Sequence, residues 1–99
     1  MTETKQLPPP RLKGDMSLEE AICRRRSVRS YREERLADDV LGQLLWSAQG
    51  VVKQGESLRR TAPSAGARYP LETYVATAGF LARYQPAKHK LRVLRQVDV

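Results

Sequence analysis

The order of elements in this chain predicts an α+β fold, in which two helices precede a small antiparallel sheet. Apolar residues recur at three- and four-residue steps over residues 36–48, which is typical of an amphipathic helix. Residues 71–78 have a strand pattern, with Leu71, Thr73, Val75 and Thr77 alternating with Glu72, Tyr74, Ala76 and Ala78, and Gly79 separates this segment from a hairpin. The 99 residues form at most one small domain, and so few elements leave at least one sheet face uncovered. The sequence therefore predicts a missing remainder or an obligate partner.

Residues 1–16 are predicted to form an extended Pro-rich leader, and residues 17–99 the folded part. Pro8, Pro9 and Pro10 favour a polyproline conformation. Such an arm can bind an aromatic groove, but its composition favours a segment that lies along the parent protein. The leader lacks the apolar stretch of a signal peptide, and no apolar run is long enough to span a membrane. We therefore expect a soluble, cytoplasmic protein.

The first predicted helix begins with a capping box. Ser17 and Glu20 have the spacing at which each side chain can satisfy a backbone N–H at the helix start. The helix is predicted to end near Arg26, and its apolar face comprises Leu18, Ala21 and Ile22. Cys23 lies within it and is predicted to be a small buried apolar residue rather than a reactive thiol. As the single cysteine, it excludes an internal disulfide and a Cys-rich metal site.

The second helix has the strongest periodicity in the chain. Two aspartates lie in its first turn, where the helix dipole favours carboxylates, and Gly50 is predicted to end it in a left-handed conformation. Trp46 is predicted to lie in the core or in a subunit contact. The residues of its apolar face are Leu36, Val40, Leu41, Leu44, Leu45 and Ala48.

The second half of the chain is predicted to contain a loop, a short turn and strands. Ser64 is predicted to cap a short helical turn that Pro70 ends. His89, in a turn between two lysines, is predicted to be an exposed surface residue. The predicted order is a loop over 51–62, strands over Leu71–Ala78 and Phe80–Tyr84, a turn over Pro86–Lys90 and a strand over Lys90–Val97.

Residues 24–31, which we call the arginine segment, have the composition of an anion site. Four arginines and two serines occur in RRRSVRSY, and arginine offers a planar fork of donors that remains charged at any working pH. Composition alone favours a solvated helix end, where cations complement the helix dipole. However, Arg25, Ser27 and Arg29 occupy alternate positions and would point the same way in an extended chain. The anion could be a nucleic-acid backbone or one small cofactor.

The distribution of charge disfavours nucleic acid. The net charge is +7, but residues 1–50 hold nine basic and eight acidic side chains, against nine basic and three acidic in residues 51–99. The arginine segment thus lies in the nearly neutral half, whereas a nucleic-acid site needs a wider basic field. One Phe and one Trp also give few stacking surfaces. A small basic nucleic-acid-binding module that uses Arg24–Arg35 and the basic tail is the less favoured hypothesis.

Three motifs in register resemble a known family. RRSVRSY, LGQLLWSAQG and RTAPSAGARYPLETYV, followed by LARYQPAKHKLRVLRQVD, resemble the N-terminal half of the nitroreductase-like FMN-dependent oxidoreductases. Within these they are most similar to the SagB-type dehydrogenases, a group that includes the thiazoline/oxazoline oxidases. The resemblance covers residues 7–98. It implies a nitroreductase-like fold, of which this chain carries two main helices, a short serine-capped turn, then a strand and a hairpin.

The resemblance also implies a function and its residues. It implies FMN as the cofactor, with hydride passing from NAD(P)H or an organic small-molecule substrate through the flavin at a homodimer interface. A separate chain could also supply the missing C-terminal half, and an inactive remnant that binds a partner is a further alternative. An asparagine of the classical nitroreductases is replaced by Ala67, which fits the SagB-like branch. The family's phosphate-binding positions fall on Arg25, Arg26, Ser27 and Arg29, and its flavin-ring contacts from the partner subunit fall on Pro63, Ser64, Ala65 and Gly66.

No residue of this chain is predicted to act as a catalytic acid, base or nucleophile, and no metal site is predicted. Tyr31 and Tyr69 are predicted to pack in the core or at its rim rather than to contact the cofactor.

Overall fold

The computed structural model describes residues 3–54 and 56–96, and within them two helices precede most of an antiparallel sheet. The elements are β1 Glu3–Gln6, α1 Leu18–Arg24, α2 Asp38–Gln49, β2 Val51–Gln54, β3 Ser57–Arg60, β4 Tyr74–Ala76, β5 Phe80–Gln85 and β6 Lys90–Gln96. The four-stranded sheet has the order β1-β6-β5-β4, and a separate two-stranded hairpin pairs β2 with β3. This arrangement confirms the α+β prediction.

The core lies between α2 and one face of the four-stranded sheet. Alternate residues of β5 and β6 point to this face, as the period of two in a strand requires. Leu7 and Leu91 are 2% and 0% exposed and are the largest fully buried side chains among those described. Burying a leucine of this kind contributes roughly 1.5–3 kcal/mol. The cluster comprises Leu7, Leu41, Leu45, Ala82, Tyr84 and Leu91.

Part of the segment predicted as a leader is a strand of the sheet. β1 pairs antiparallel with β6, with Glu3 opposite Val93 and Gln6 opposite Lys90. The backbone N–H of Leu7 then donates to the carbonyl of His89 at 3.3 Å, which places the Leu7 side chain in the core. The segment is extended, as expected, but it is fixed by hydrogen bonds to the end of the described chain. Met1 and Thr2 lie outside the described residues.

The first helix forms only the Ser17 half of its predicted capping box, since the Glu20 carboxylate pairs with Arg24, and the helix lacks a core contact. Ser17 Oγ accepts a hydrogen bond from the Glu20 backbone N–H at 3.1 Å, so the predicted helix start is confirmed. The helix ends at Arg24, two residues before the predicted end. Its apolar face is exposed, with Leu18 72% and Ile22 65% accessible. The prediction that Cys23 is buried is wrong, because no described part of the chain packs on this helix.

The second helix buries only part of its apolar stripe. Leu41 and Leu45 contact the sheet, whereas the other members of the predicted face, Leu36, Val40, Leu44 and Ala48, are exposed. Trp46 is half-buried. The predicted left-handed stop is wrong, because Gly50 has a φ of -66°. Glycine is needed there for space, since a Cβ would overlap Trp46 Cδ1 and lie 2.5 Å from the Trp46 carbonyl oxygen.

The segment predicted as a loop over residues 51–62 is largely a β-hairpin. Val51 pairs with Arg60, and Gln54 with Ser57. The N–H of Thr61 donates to the carbonyl of Gly50 at 2.9 Å and continues the pairing toward the end of α2. Gly55, which was assigned to that loop, lies outside the described residues.

The later strands are confirmed in order but differ in length. The predicted strand over 71–78 is regular only at Tyr74–Ala76, and β5 extends one residue further than predicted, to Gln85. A single 3-10 turn, Pro86–Lys88, connects β5 to β6 where a turn was expected. Residues 97–99, including the predicted strand end Val97, lie outside the described part. No helix in that part is long and apolar enough to cross a membrane.

His89 is not an exposed surface residue, contrary to the prediction. It is half-buried, and its Nδ1 lies 2.7 Å from the hydroxyl of Tyr84, a residue in the core. Its Nε2 is buried without a hydrogen-bond partner and lies 3.3 Å from where a Cβ on Gly42 would be. Its left-handed backbone, with a φ of 49°, turns the side chain inward between α2 and the sheet. The flanking lysines predict exposure, but this tertiary contact overrides the local pattern.

Candidate functional site

The arginine segment leaves α1 as extended, exposed chain. Arg25 follows the helix with a φ of -60° and a ψ of 129°, and its backbone N–H donates to the Ala21 carbonyl at 3.0 Å. Residues 25–30 have no regular secondary structure and all are exposed. The predicted extended exit from the helix is therefore confirmed at Arg25.

Two carboxylates near this segment pair with arginines other than the predicted phosphate ligands. Glu20 forms an ion pair with Arg24 at 3.1 Å, one turn apart on α1. Glu34 lies 3.9 Å from the guanidinium of Arg32. Within the described residues, the side chains of the three predicted ligands Arg25, Arg26 and Arg29 form no ion pair or hydrogen bond. The segment thus presents three unneutralised guanidinium groups to solvent.

The serine turn, residues 63–66, leads into a single 3-10 turn and includes a left-handed glycine. The turn is Ala65–Ala67, and Gly66 has a φ of 67°, a conformation that favours glycine. The prediction that Ser64 caps this turn is wrong. Its Oγ instead accepts a hydrogen bond from the backbone N–H of Tyr69 at 2.9 Å, which closes the loop around the turn. Pro63, Ala65 and Gly66 are exposed, and Ser64 is half-buried.

Tyr69 connects the serine turn to the hairpin. Its hydroxyl accepts a hydrogen bond from the backbone N–H of Arg60 at 3.3 Å, and the Arg60 guanidinium lies 4.9 Å from the centre of its ring. Tyr69 has a φ of 45°, which is rare for a residue with a side chain. Its half-buried position agrees with the predicted rim packing. Tyr31, by contrast, is 83% exposed, so the packing predicted for it is wrong within the described chain.

In the described residues, 3–54 and 56–96, the arginine segment and the serine turn do not contact each other through hydrogen bonds or ion pairs. The same described ranges contain no cluster of His, Cys, Asp and Glu side chains that could hold a metal ion. Arg60 was not among the predicted site residues. The sequence feature that could have indicated it is the basic pair Arg59-Arg60, which precedes the serine motif.

The chain belongs to the nitroreductase family, because residues 22–98 match the sequence model of the Nitroreductase family. A protein of Methanocaldococcus jannaschii named "Putative nitroreductase" is 36% identical over 83 residues, which cover 78% of this chain and 41% of that protein. A crystal structure of a protein from Ralstonia eutropha JMP134, with "putative nitroreductase" in its name, is 34% identical and superposes with a TM-score of 0.83. That superposition covers 96% of this chain and 45% of the other. The predicted nitroreductase-like fold is therefore confirmed, and the chain spans less than half the length of both proteins.

Proposed function

We propose that this chain carries the N-terminal part of the site of an FMN-dependent oxidoreductase of the SagB-type dehydrogenase group. The observation that carries the proposal is the set of three unneutralised arginines at the exit from α1, in a chain of the nitroreductase family. The resemblance of the three motifs supports the finer assignment to the SagB-type group.

The arginine segment has the donor set that the phosphate of FMN requires. In our proposal Arg25, Arg26, Ser27 and Arg29 hold this group. Guanidinium and hydroxyl donors suit phosphate oxygens, and charge-assisted hydrogen bonds of this kind contribute about 1.5–3 kcal/mol each. Glu20 and Glu34 already pair with Arg24 and Arg32, so these two carboxylates do not occupy the donors proposed for the phosphate.

The serine turn suits contact with a flat ring. In our proposal Pro63, Ser64, Ala65 and Gly66 contact the flavin that is bound by the other subunit of a homodimer. Three of them have side chains no larger than serine, and the hydrogen bond from Tyr69 to Ser64 fixes the loop. FMN, when bound, supplies two-electron chemistry by accepting hydride from NAD(P)H or an organic small-molecule substrate and passing it on. In our proposal the named residues of this chain position the cofactor.

The exposed apolar faces of α1 and α2 support the proposal that further protein packs against this chain. Leu18 and Ile22 on α1, and Val40 and Leu44 on α2, form apolar surface that no described residue covers. Such surface is typical of an interface. We propose that a second copy of the chain, or a chain that supplies the C-terminal half, covers it.

Flavin titration tests the proposal. Addition of FMN to the purified 99-residue protein should give saturable binding, seen as flavin absorbance retained after gel filtration. Arg25→Ala combined with Arg29→Ala should abolish this binding, whereas Arg11→Ala, which removes an arginine paired with Asp15 outside the site, should leave it unchanged. A colourless protein that retains no FMN at any concentration, or a double variant with unchanged affinity, would contradict the proposal.

A further inference from the structure

A cleft that shares no lining residue with the arginine segment lies against Tyr69, which is hydrogen-bonded to the serine turn. It has a volume of about 350 Å³ and is bounded by Tyr69, by residues 71–73, by the end of β5 and by the Pro86–Lys88 turn, with Arg60 of β3 at one wall. Sites for small molecules commonly have volumes of about 300–1,000 Å³. The size of the cleft therefore suits a ligand of few atoms.

The cleft has an excess of positive charge. Arg60, Arg83 and Lys88 line it, against the single carboxylate of Glu72. That carboxylate already lies 3.6 Å from the Arg83 guanidinium and accepts a hydrogen bond from the Tyr74 hydroxyl at 3.1 Å. Arg60, by contrast, has no carboxylate partner within residues 3–54 and 56–96. An anion in the cleft would supply the missing partner.

Tyr84 adds no negative charge to the cleft near neutral pH. Burial raises the pKa of its hydroxyl above the ordinary value of 10.0, and the nearby charge of Arg60 partly offsets this rise. The phenol therefore stays neutral and remains bonded to His89. The charged side chains that line the cleft are thus three cations and one carboxylate.

Arg60 is held in place before any ligand arrives. Its guanidinium lies over the ring of Tyr69, 4.9 Å from the ring centre, and stacking on an aromatic face orients the planar fork. Two hydrogen bonds hold Tyr69 in its left-handed conformation, one from its N–H to Ser64 Oγ and one to its hydroxyl from the Arg60 N–H. Residues in such rare conformations cluster at ligand sites.

The remaining walls are apolar, and they define the body of the ligand. Leu71, Pro86 and Ala87 face the cleft. Because Arg83 already pairs with Glu72, Arg60 is the guanidinium of the described lining that is left for a ligand, and one carboxylate can satisfy it with two parallel hydrogen bonds. We propose that the cleft binds a small organic carboxylate, whose carboxylate pairs with Arg60 while its aliphatic body lies against this apolar wall. This site is separate from the proposed FMN phosphate site.

Titration of the full 99-residue chain with hexanoate, monitored by two-dimensional ¹H–¹⁵N NMR, tests the site. Hexanoate should cause saturable shifts at the amides of Arg60, Tyr69 and Lys88. Hexanamide, its neutral analogue, should bind at least tenfold more weakly. Arg60→Gln should weaken hexanoate binding at least tenfold, whereas the control Arg59→Gln, at an exposed neighbouring position, should change it less than twofold. Lys88→Gln, at an exposed position that does not threaten folding, should weaken it two- to threefold.

Equal affinity for hexanoate and hexanamide would overturn the proposal, as would the absence of saturable shifts. Unchanged affinity in both Arg60→Gln and Lys88→Gln would do the same. A further titration in the presence of FMN separates this site from the flavin site. Hexanoate affinity should be unchanged by FMN and by Arg25→Ala with Arg29→Ala. Displacement of hexanoate by FMN would show that the cleft is part of the flavin site.

Discussion

Replacement of Gly50 by alanine should destabilise the protein for a steric reason. A Cβ at this position would overlap Trp46 Cδ1 and lie 2.5 Å from Trp46 Cγ and from the Trp46 carbonyl oxygen. Because the contact includes backbone, the side chain alone cannot relieve it. Overpacking of this kind costs about 1–3 kcal/mol. Alanine also lowers the conformational entropy of the unfolded chain, which offsets about 0.4–1 kcal/mol of that cost. We expect a net loss of about 1–2 kcal/mol, or roughly 4–16 °C in Tm for a domain of this size.

Thermal unfolding followed by circular dichroism measures this loss. Gly79→Ala is the matched control, since a Cβ there meets no atom within 4 Å and should leave Tm unchanged or slightly higher. Gly50→Asn distinguishes the steric reason from a left-handed helix stop, at which asparagine is accepted. The steric reason predicts that asparagine is at least as harmful as alanine. A wild-type Tm in Gly50→Ala, or a harmless Gly50→Asn, would refute it.

Three further predictions concern the core and the first helix. Leu91→Ala removes a fully buried side chain and should cost about 2–5 kcal/mol in urea unfolding. Tyr84→Phe leaves His89 Nδ1 without its partner and should cost about 1–3 kcal/mol. The pKa of Tyr84 is higher in the folded state, so the hydroxyl of the unfolded chain loses its proton first as the pH rises. The free energy of unfolding of the wild type should therefore fall above pH 10, and that of Tyr84→Phe should fall less over the same range. Ser17→Ala should speed hydrogen exchange at the Glu20 amide roughly fivefold, for a cap of about 1 kcal/mol.

Control variants and contrary outcomes test these three predictions, for the core, the Tyr84 hydroxyl and the helix cap. Leu94→Ala, at a partly exposed position on the same strand as Leu91, should cost far less. Equal losses for the two would show that the core is not where the structure has it. Identical stability curves above pH 10 for the wild type and Tyr84→Phe would refute the burial of that hydroxyl. Unchanged exchange at Glu20 in Ser17→Ala would show that the cap contributes nothing.

The sequence predicted features that depend on local patterns. The start of α1 follows from Ser17 and Glu20, and the core contacts of Leu41 and Leu45 follow from a 3.6-residue period. The same period cannot say what covers each residue. Leu44 shares the apolar stripe but has no partner in the described chain, because the stripe is wider than the sheet contact.

Features that depend on distant partners were not predictable. Glu3–Gln6 contains no apolar residue, and only its pairing with β6 makes it a strand. The hairpin of residues 51–60 lacks clear alternation, although a glycine between two short β-prone runs was an available signal. His89 is turned inward, where it bonds to Tyr84 of β5 and lies close to the position of Gly42 on α2.

The candidate site shows the same division. Arginines and serines at the exit from α1 were predictable as an anion site, because their chemistry is local. The role of Ser64 was not predictable, since its hydroxyl accepts a hydrogen bond from the Tyr69 backbone N–H and does not cap its own turn. The role of Arg60 depends on the fold that places the hairpin beside Tyr69.

Comparison of FMN with riboflavin tests the central proposal most directly, because the two ligands differ only in the phosphate. Fluorescence titration of the 99-residue protein should give a much tighter Kd for FMN. Two charge-assisted hydrogen bonds at about 1.5 kcal/mol each correspond to a difference of at least about 100-fold. In the variant with both Arg25→Ala and Arg29→Ala, this preference should be lost. Equal affinity of the wild-type protein for FMN and riboflavin would contradict the assignment of the arginine segment to the phosphate.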